Sequence, residues 1–195
     1  MLLYLHIPFC HRVCPYCSFY KHTPGATSIG SFVDALAAET KSRLTESPRT
    51  IYLGGGTPSM LSPGHLSKLF AALHGKIDFS QLDEVTMEAN PATFDAAKAR
   101  LFRDLGVTRV SLGIQSFTPH VLEILGREHS VAQASESVGI LREAGIPSIN
   151  IDLMFSIPGQ SKDDWQQTLE HAISLEPDHI SAYNLTYEED TAFFE

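Results

Sequence analysis

The chain has 195 residues and three cysteines, and those three stand within eight residues of one another, as Cys10, Cys14 and Cys17 of the string CHRVCPYC. Thiolates at this spacing suit a zinc ion or an iron–sulfur cluster. A disulfide scaffold would use an even number of cysteines spread along the chain, so an odd, tight group points to metal. Structural zinc would want a fourth ligand, which His6, His11 or His22 could supply. Three thiolates around a cube of four irons instead leave one iron without protein sulfur, open to a small chelating group such as the amino and carboxylate of an amino acid. Pro8 and Pro15 disfavour a helix here, so the stretch reads as a loop that can wrap a cube.

Other residues carry weaker signals of the same kind. Gly54-Gly55-Gly56-Thr57-Pro58 lacks the spacing and lysine of a phosphate loop. Its glycines either let a ligand approach the backbone closely or make a tight turn before Pro58. Glu88 ends an apolar run, where a carboxylate needs a partner, either a ligand ammonium or a salt bridge at the rim. Asp152 lies inside INIDLMF, a poor place for a solvated acid. Arg127, in LGREH, has the fork geometry that holds a carboxylate, although a surface arginine is the plainer reading. Tyr4 and Tyr16 read as core packing on residue type alone, and His11, His22, His65, His74 and His120 as surface residues.

The elements that must position these groups alternate regularly. Strands are predicted at Leu2–Ile7, Thr50–Leu53, Glu84–Glu88, Arg109–Gly113, Ser148–Met154 and His179–Leu185. They are apolar and barely alternate in polarity, as expected of parallel strands covered on both faces. Helices lie between them. Leu66, Leu69, Phe70 and Leu73 form one apolar stripe, and Trp165, Leu169, Ala172 and Ile173 another. Ser62-Pro63 reads as an N-cap followed by a first-turn proline, and Ser161 with Asp164 as a capping box. Gly106 and Gly145 stand where a left-handed residue would end a helix. Six β/α units make an α/β domain, either an open doubly wound sheet or an arc of a barrel. A full eight-unit barrel takes about 250 residues, so six units in this length suit a partial (β/α)6 TIM-like barrel. Most of the unusual residues cluster at or just after strand ends, where ligands bind in parallel α/β folds.

Composition narrows the function classes. The chain is 43% hydrophobic and 19% charged, enough for one sizeable core. No segment is long and apolar enough to span a bilayer, and MLLYLHIPFC has neither the basic start nor the cleavage site of a signal peptide, so the cytoplasm is expected. The net charge is −9 with no run of lysine or arginine, which argues against nucleic acid as a partner. The ending EEDTAFFE reads as an abrupt stop, and residues 1–195 are expected to be the core domain of a longer protein.

With the cysteines, the longer stretch YLHIPFCHRVCPYCSFY and the strings LGGGTPS, MEANP, RVSLGIQSF, LGREH, NIDLMFSIPGQ and SAYNLTYEEDT occur in order. Together they resemble the radical S-adenosylmethionine (SAM) superfamily. Within it they are most similar to the oxygen-independent coproporphyrinogen III oxidases and their relatives, which include a haem chaperone branch. The resemblance implies a partial barrel holding a 4Fe-4S cluster on Cys10, Cys14 and Cys17, which gives one electron to bound SAM and cleaves it to methionine and a 5′-deoxyadenosyl radical. It assigns Gly55, Gly56 and Thr57 to the methionine end of SAM, Glu88 to its ammonium, Arg127 to its carboxylate and Gln115 and Asp152 to its ribose. It sets Tyr4 and Tyr16 beside cofactor and cluster.

The sequence departs from that pattern at Phe19, where the oxidases carry a further cysteine, at Ser156 and at Asp190, where glycine is usual. Phe19 argues for the chaperone branch. That branch implies binding of haem or another porphyrin, membrane respiratory proteins as haem acceptors and an electron donor. The alternative is oxidative decarboxylation of coproporphyrinogen III. A zinc-stabilised barrel with unrelated chemistry is the third reading.

Overall fold

The computed structural model describes residues 1–25 and 28–194. Glu195, which closes the EEDTAFFE string, lies outside them. Six strands alternate with six helices: β1 (Leu2–Ile7), α1 (Ile29–Arg43), β2 (Thr50–Gly55), α2 (Pro63–His74), β3 (Glu84–Ala89), α3 (Ala96–Leu105), β4 (Arg109–Gln115), α4 (Pro119–Ile124), α5 (Val131–Glu143), β5 (Ser148–Phe155), α6 (Lys162–Ser174) and β6 (His179–Asn184). Every predicted strand forms. β2 to β5 run one or two residues further than predicted, into the site, and β6 stops one residue sooner.

The sheet order is β1-β2-β3-β4-β5-β6, and every neighbouring pair is parallel. A doubly wound sheet must reverse its order at a switch point, because right-handed crossovers otherwise keep helices on one side. No reversal occurs, so the arrangement is the barrel arc.

That topology corrects the expectation that both strand faces are apolar. One face carries Leu5, Ile7, Ile51, Leu53, Val85, Met87, Val110, Leu112, Ile149, Ile151 and Leu153, all buried in a single core with the inner faces of the helices. The alternate residues are Tyr4, His6, Tyr52, Glu88, Ser111, Asn150 and Asp152. With the helices all on one side, the inner face of the arc has no helical layer to bury against and is free to carry polar groups.

The helix ends follow their local signals. Ser62 accepts from the His65 N–H at 3.2 Å with Pro63 in the first turn. Ser161 and Asp164 form the reciprocal box, and Ser130 with Gln133 forms a second one that was not anticipated. Gly106 (φ 101°) and Gly145 (φ 80°) are left-handed where α3 and α5 end. His22 and His65 are half-buried, against the surface expectation. His22 stands edge-on to Phe9 at 5.1 Å, and its backbone N–H bonds the Pro8 carbonyl. No helix among the described residues is long and apolar enough to cross a membrane.

Ser156, which departs from a usual glycine, has φ +60°. The left-handed region is costly for a residue with a Cβ, which accounts for the glycine preference there. Ser156→Gly is therefore expected to stabilise the fold by about 0.5–1 kcal/mol, read as a rise of about 2 °C in thermal midpoint. An unchanged or lower midpoint contradicts the strain.

Candidate functional site

The cysteine loop leaves the end of β1 and is clamped at both ends. His22 N–H bonds the Pro8 carbonyl at 2.8 Å, and Cys10 N–H bonds the His22 carbonyl at 3.1 Å, which closes the loop on itself. The glycine-rich turn after β2 lies against its start. Gly56 N–H bonds the Ile7 carbonyl and Thr57 N–H the Phe9 carbonyl, both at 2.8 Å. A Cβ on Gly56 would stand 2.6 Å from the Phe9 carbonyl oxygen, so only glycine permits this approach. Gly56 thus serves the loop's own backbone. Gly55 (φ +111°) has the left-handed backbone of the pair and turns its N–H to Glu88 Oε2 at 3.0 Å.

A cavity of about 380 Å³ opens at the carboxyl ends of the strands, within the range of small-molecule sites. Cys10, Cys14, Cys17 and Tyr16 line one side. Gly55, Gly56, Thr57, Glu88, Gln115, Arg127 and Asp152 line the rest. The structure therefore brings together every residue that the resemblance assigns to cluster or SAM except Tyr4. Tyr4 sits lower on the inner face, 48% exposed, with its hydroxyl 3.0 Å from His6 Nδ1 and its ring 6.0 Å from that of Tyr52.

Hydrogen bonds fix most of the wall. Tyr52 donates to Glu88 Oε1 at 2.7 Å. Ser111 donates to Asp152 Oδ2 at 2.8 Å, and the buried Asn150 donates to Asp152 Oδ1 at 2.7 Å. Gln115 sits at the irregular register between β4 and β5 with φ +72°, a strained backbone of the kind that gathers at binding sites. Arg127 donates from Nη2 to Asn90 Oδ1 at 2.7 Å and to the Gly113 carbonyl at 2.5 Å, and from Nη1 to Cys14 Sγ at 3.6 Å. Thr57 Oγ1 donates to Cys10 Sγ at 3.6 Å and accepts from Asn90 Nδ2 at 3.1 Å. Asn90 and Tyr52 were not foreseen as site residues. Asn90 is one of the unusual residues grouped at the strand ends, but nothing in its type announces that it joins Thr57 to Arg127.

Burial sets the electrostatics. It pushes the Cys10 and Cys17 thiols upward in pKa, and the Tyr16 phenol too. His129, next to this wall, is pushed down to about 4 by burial and by the Arg127 charge, so its imidazole is neutral. The buried Arg127 Nε and His129 Nε2 have no hydrogen-bond partner. Glu88 is raised by burial, and the bonds from Tyr52 and Gly55 offset this only in part.

These residues fit a cluster better than a single ion. No three His, Cys, Asp or Glu side chains among the described residues stand where they could hold one metal ion. Zinc–sulfur bonds of about 2.3 Å would draw thiolates to within about 4 Å of one another. Three half-buried thiols around one cavity suit the corners of a larger inorganic core. His6, one candidate for a zinc ligand, has both ring nitrogens engaged, by Tyr4 and by the Tyr20 carbonyl.

Glu88 gives a pH signature. A carboxylate whose folded pKa is raised contributes stability below its unfolded pKa and loses it as pH rises through the folded pKa. Glu88→Gln is thus expected to gain stability relative to the parent as pH goes from 4 to 8 in the ligand-free protein, measured by thermal melts. A pH-independent difference contradicts the raised value.

Residues 4–172 match the Radical SAM superfamily. The chain is 38% identical over 190 residues to the heme chaperone HemW of Lactococcus lactis, covering 97% of this chain and 50% of that protein. It is 36% identical over 196 residues to HemW of Escherichia coli, covering 98% and 52%. It therefore spans about half the length of these curated relatives. Among solved structures, coproporphyrinogen III oxidase (HemN) from Escherichia coli, described as a radical SAM enzyme, superposes with a TM-score of 0.87 at 29% identity, over 95% of this chain and 44% of that one. The radical SAM methyltransferase TsrM of Kitasatospora setae, at 18% identity and a TM-score of 0.73 over 98% of this chain and 35% of its own, shares the fold. With the matched region spanning β1 to α6, the chain belongs to the radical SAM superfamily, whose members work with a 4Fe-4S cluster and SAM.

Proposed function

We propose that this chain is the cluster- and SAM-holding core domain of a haem chaperone, a protein that binds haem and delivers it to respiratory haemoproteins of the membrane. Phe19 carries the reading. It stands where the oxidases have a further cysteine, 71% exposed at the edge of the cavity, and offers an apolar ring in place of a thiol. The heme chaperones of Lactococcus lactis and Haemophilus influenzae, each 38% identical to this chain, support it.

In this reading Cys10, Cys14 and Cys17 hold three irons. Glu88 takes the SAM ammonium, and Arg127, with its unpartnered Nε–H, takes the methionine carboxylate. Gln115 and Asp152 hold the ribose hydroxyls, with Asp152 kept in place by Ser111 and Asn150. Gly55, Gly56 and Thr57 face the methionine end, and the buried Tyr16 phenol shields the cluster side from water. Tyr4 supports Tyr52 from below. When bound, the cluster supplies the electron that cleaves SAM. The chain's part is to orient SAM and to limit solvent access.

The likeness to HemN keeps a second reading in view, oxidative decarboxylation of coproporphyrinogen III. One experiment separates the two. The full-length protein, reconstituted anaerobically, is titrated with haem and separately incubated with coproporphyrinogen III, SAM and a reductant. The chaperone reading expects a saturable change in the haem absorption band and no protoporphyrinogen. Absence of saturable binding, or formation of protoporphyrinogen, overturns it.

A further inference from the structure

Each of the three cysteines meets a polar donor of its own. Thr57 Oγ1 is 3.6 Å from Cys10 Sγ, and Arg127 Nη1 is 3.6 Å from Cys14 Sγ, both within hydrogen-bonding range for sulfur. The Lys21 ammonium hydrogen-bonds the Cys17 carbonyl. The donors come from three places in the chain: the turn after β2, the segment after α4, and the far end of the cysteine loop.

Two of the three are cations, and neither is neutralised nearby. None of the ion pairs among the described residues includes Arg127 or Lys21. The Arg127 guanidinium is buried among neutral acceptors, the Asn90 amide oxygen and the Gly113 carbonyl, and its Nε–H has no acceptor. A buried cation without a salt-bridge partner is costly, so the place beside Arg127 suits a negatively charged group. Gly113 keeps the place open, since a Cβ there would come within 2.9 Å of Asn90 Oδ1 and 3.6 Å of Arg127 Nη2. Asn90 then ties Arg127 to Thr57, so two of the sulfur donors are held by one amide.

We infer that Thr57, Arg127 and Lys21 are the residues that set the reduction potential of the cluster, by hydrogen-bonding the Cys10 and Cys14 sulfurs and placing two positive charges beside the cysteine loop. The inference rests on the cluster assignment above and gives Arg127 and Thr57 a task beyond binding SAM. Taking up an electron adds one negative charge to the cluster. Donors and cations at its sulfurs stabilise that reduced state and raise the potential. Their removal lowers it.

The test is a redox titration of the reconstituted full-length protein without SAM, followed by electron paramagnetic resonance, with iron content measured on each sample. Arg127→Gln, Lys21→Gln and Thr57→Val are compared with the parent at the parent's midpoint potential. The ratio of reduced to oxidised cluster is expected to fall about tenfold on loss of either cation and about threefold on loss of the hydroxyl, from the usual size of charged and neutral hydrogen bonds. Arg127→Lys, which keeps the charge, is expected to restore most of the ratio. Where Arg127→Gln fails to take up iron, the Lys21 and Thr57 variants decide. Full iron content with unmoved ratios overturns the inference and leaves the cluster intact. Failure of the parent to bind iron overturns the cluster reading itself.

Discussion

The site depends on one close backbone approach. Gly56 lies so near the end of β1 that its N–H and that of Thr57 bond the Ile7 and Phe9 carbonyls, with no room for a side chain at Gly56. This contact ties the start of the cysteine loop to the second strand of the sheet. The same turn then directs Gly55 N–H to Glu88 and Thr57 Oγ1 to Cys10, so cluster side and ligand side are joined by three consecutive residues. A single added methyl at Gly56 would push the loop off the sheet and unmake both sides at once.

The second determinant is the asymmetry of the sheet. Strands that follow one another without reversal place all helices outside, and the apolar face of every strand goes to that side. The inner face is left to Tyr52, Glu88, Ser111, Asn150 and Asp152, which bond one another and leave acids and hydroxyls along the cavity. The core is thereby kept apart from the chemistry. Polar side chains can be changed on one face without opening voids on the other.

Much of this was legible in the sequence because it is local. The capping serines and the glycines at helix ends each act over a few residues, and they formed as read. Order along the chain also located the cavity, since the marked residues follow strands that turn out to run parallel. The polarity of the inner face was misread, because single polar residues such as Glu88 and Asp152 in apolar runs looked like exceptions and not like one side of an alternation. Long-range pairings were not legible at all. Arg127 reaches Cys14 across 113 positions, and Asn90 joins Thr57 to Arg127 through an amide that could have faced anywhere. Tyr4 is set beside the cofactor by likeness alone; it pairs in register with the cavity-lining Tyr52 and does not itself line the cavity.

The central claim is that Cys10, Cys14 and Cys17 hold a four-iron cluster with one iron open to SAM. The most direct measurement is anaerobic iron–sulfur reconstitution of the full-length protein, with metal analysis and electron paramagnetic resonance of the reduced cluster before and after SAM is added. The account expects about four irons per chain and a spectrum that shifts with SAM. One zinc with no iron, or a cluster spectrum indifferent to SAM, would contradict it.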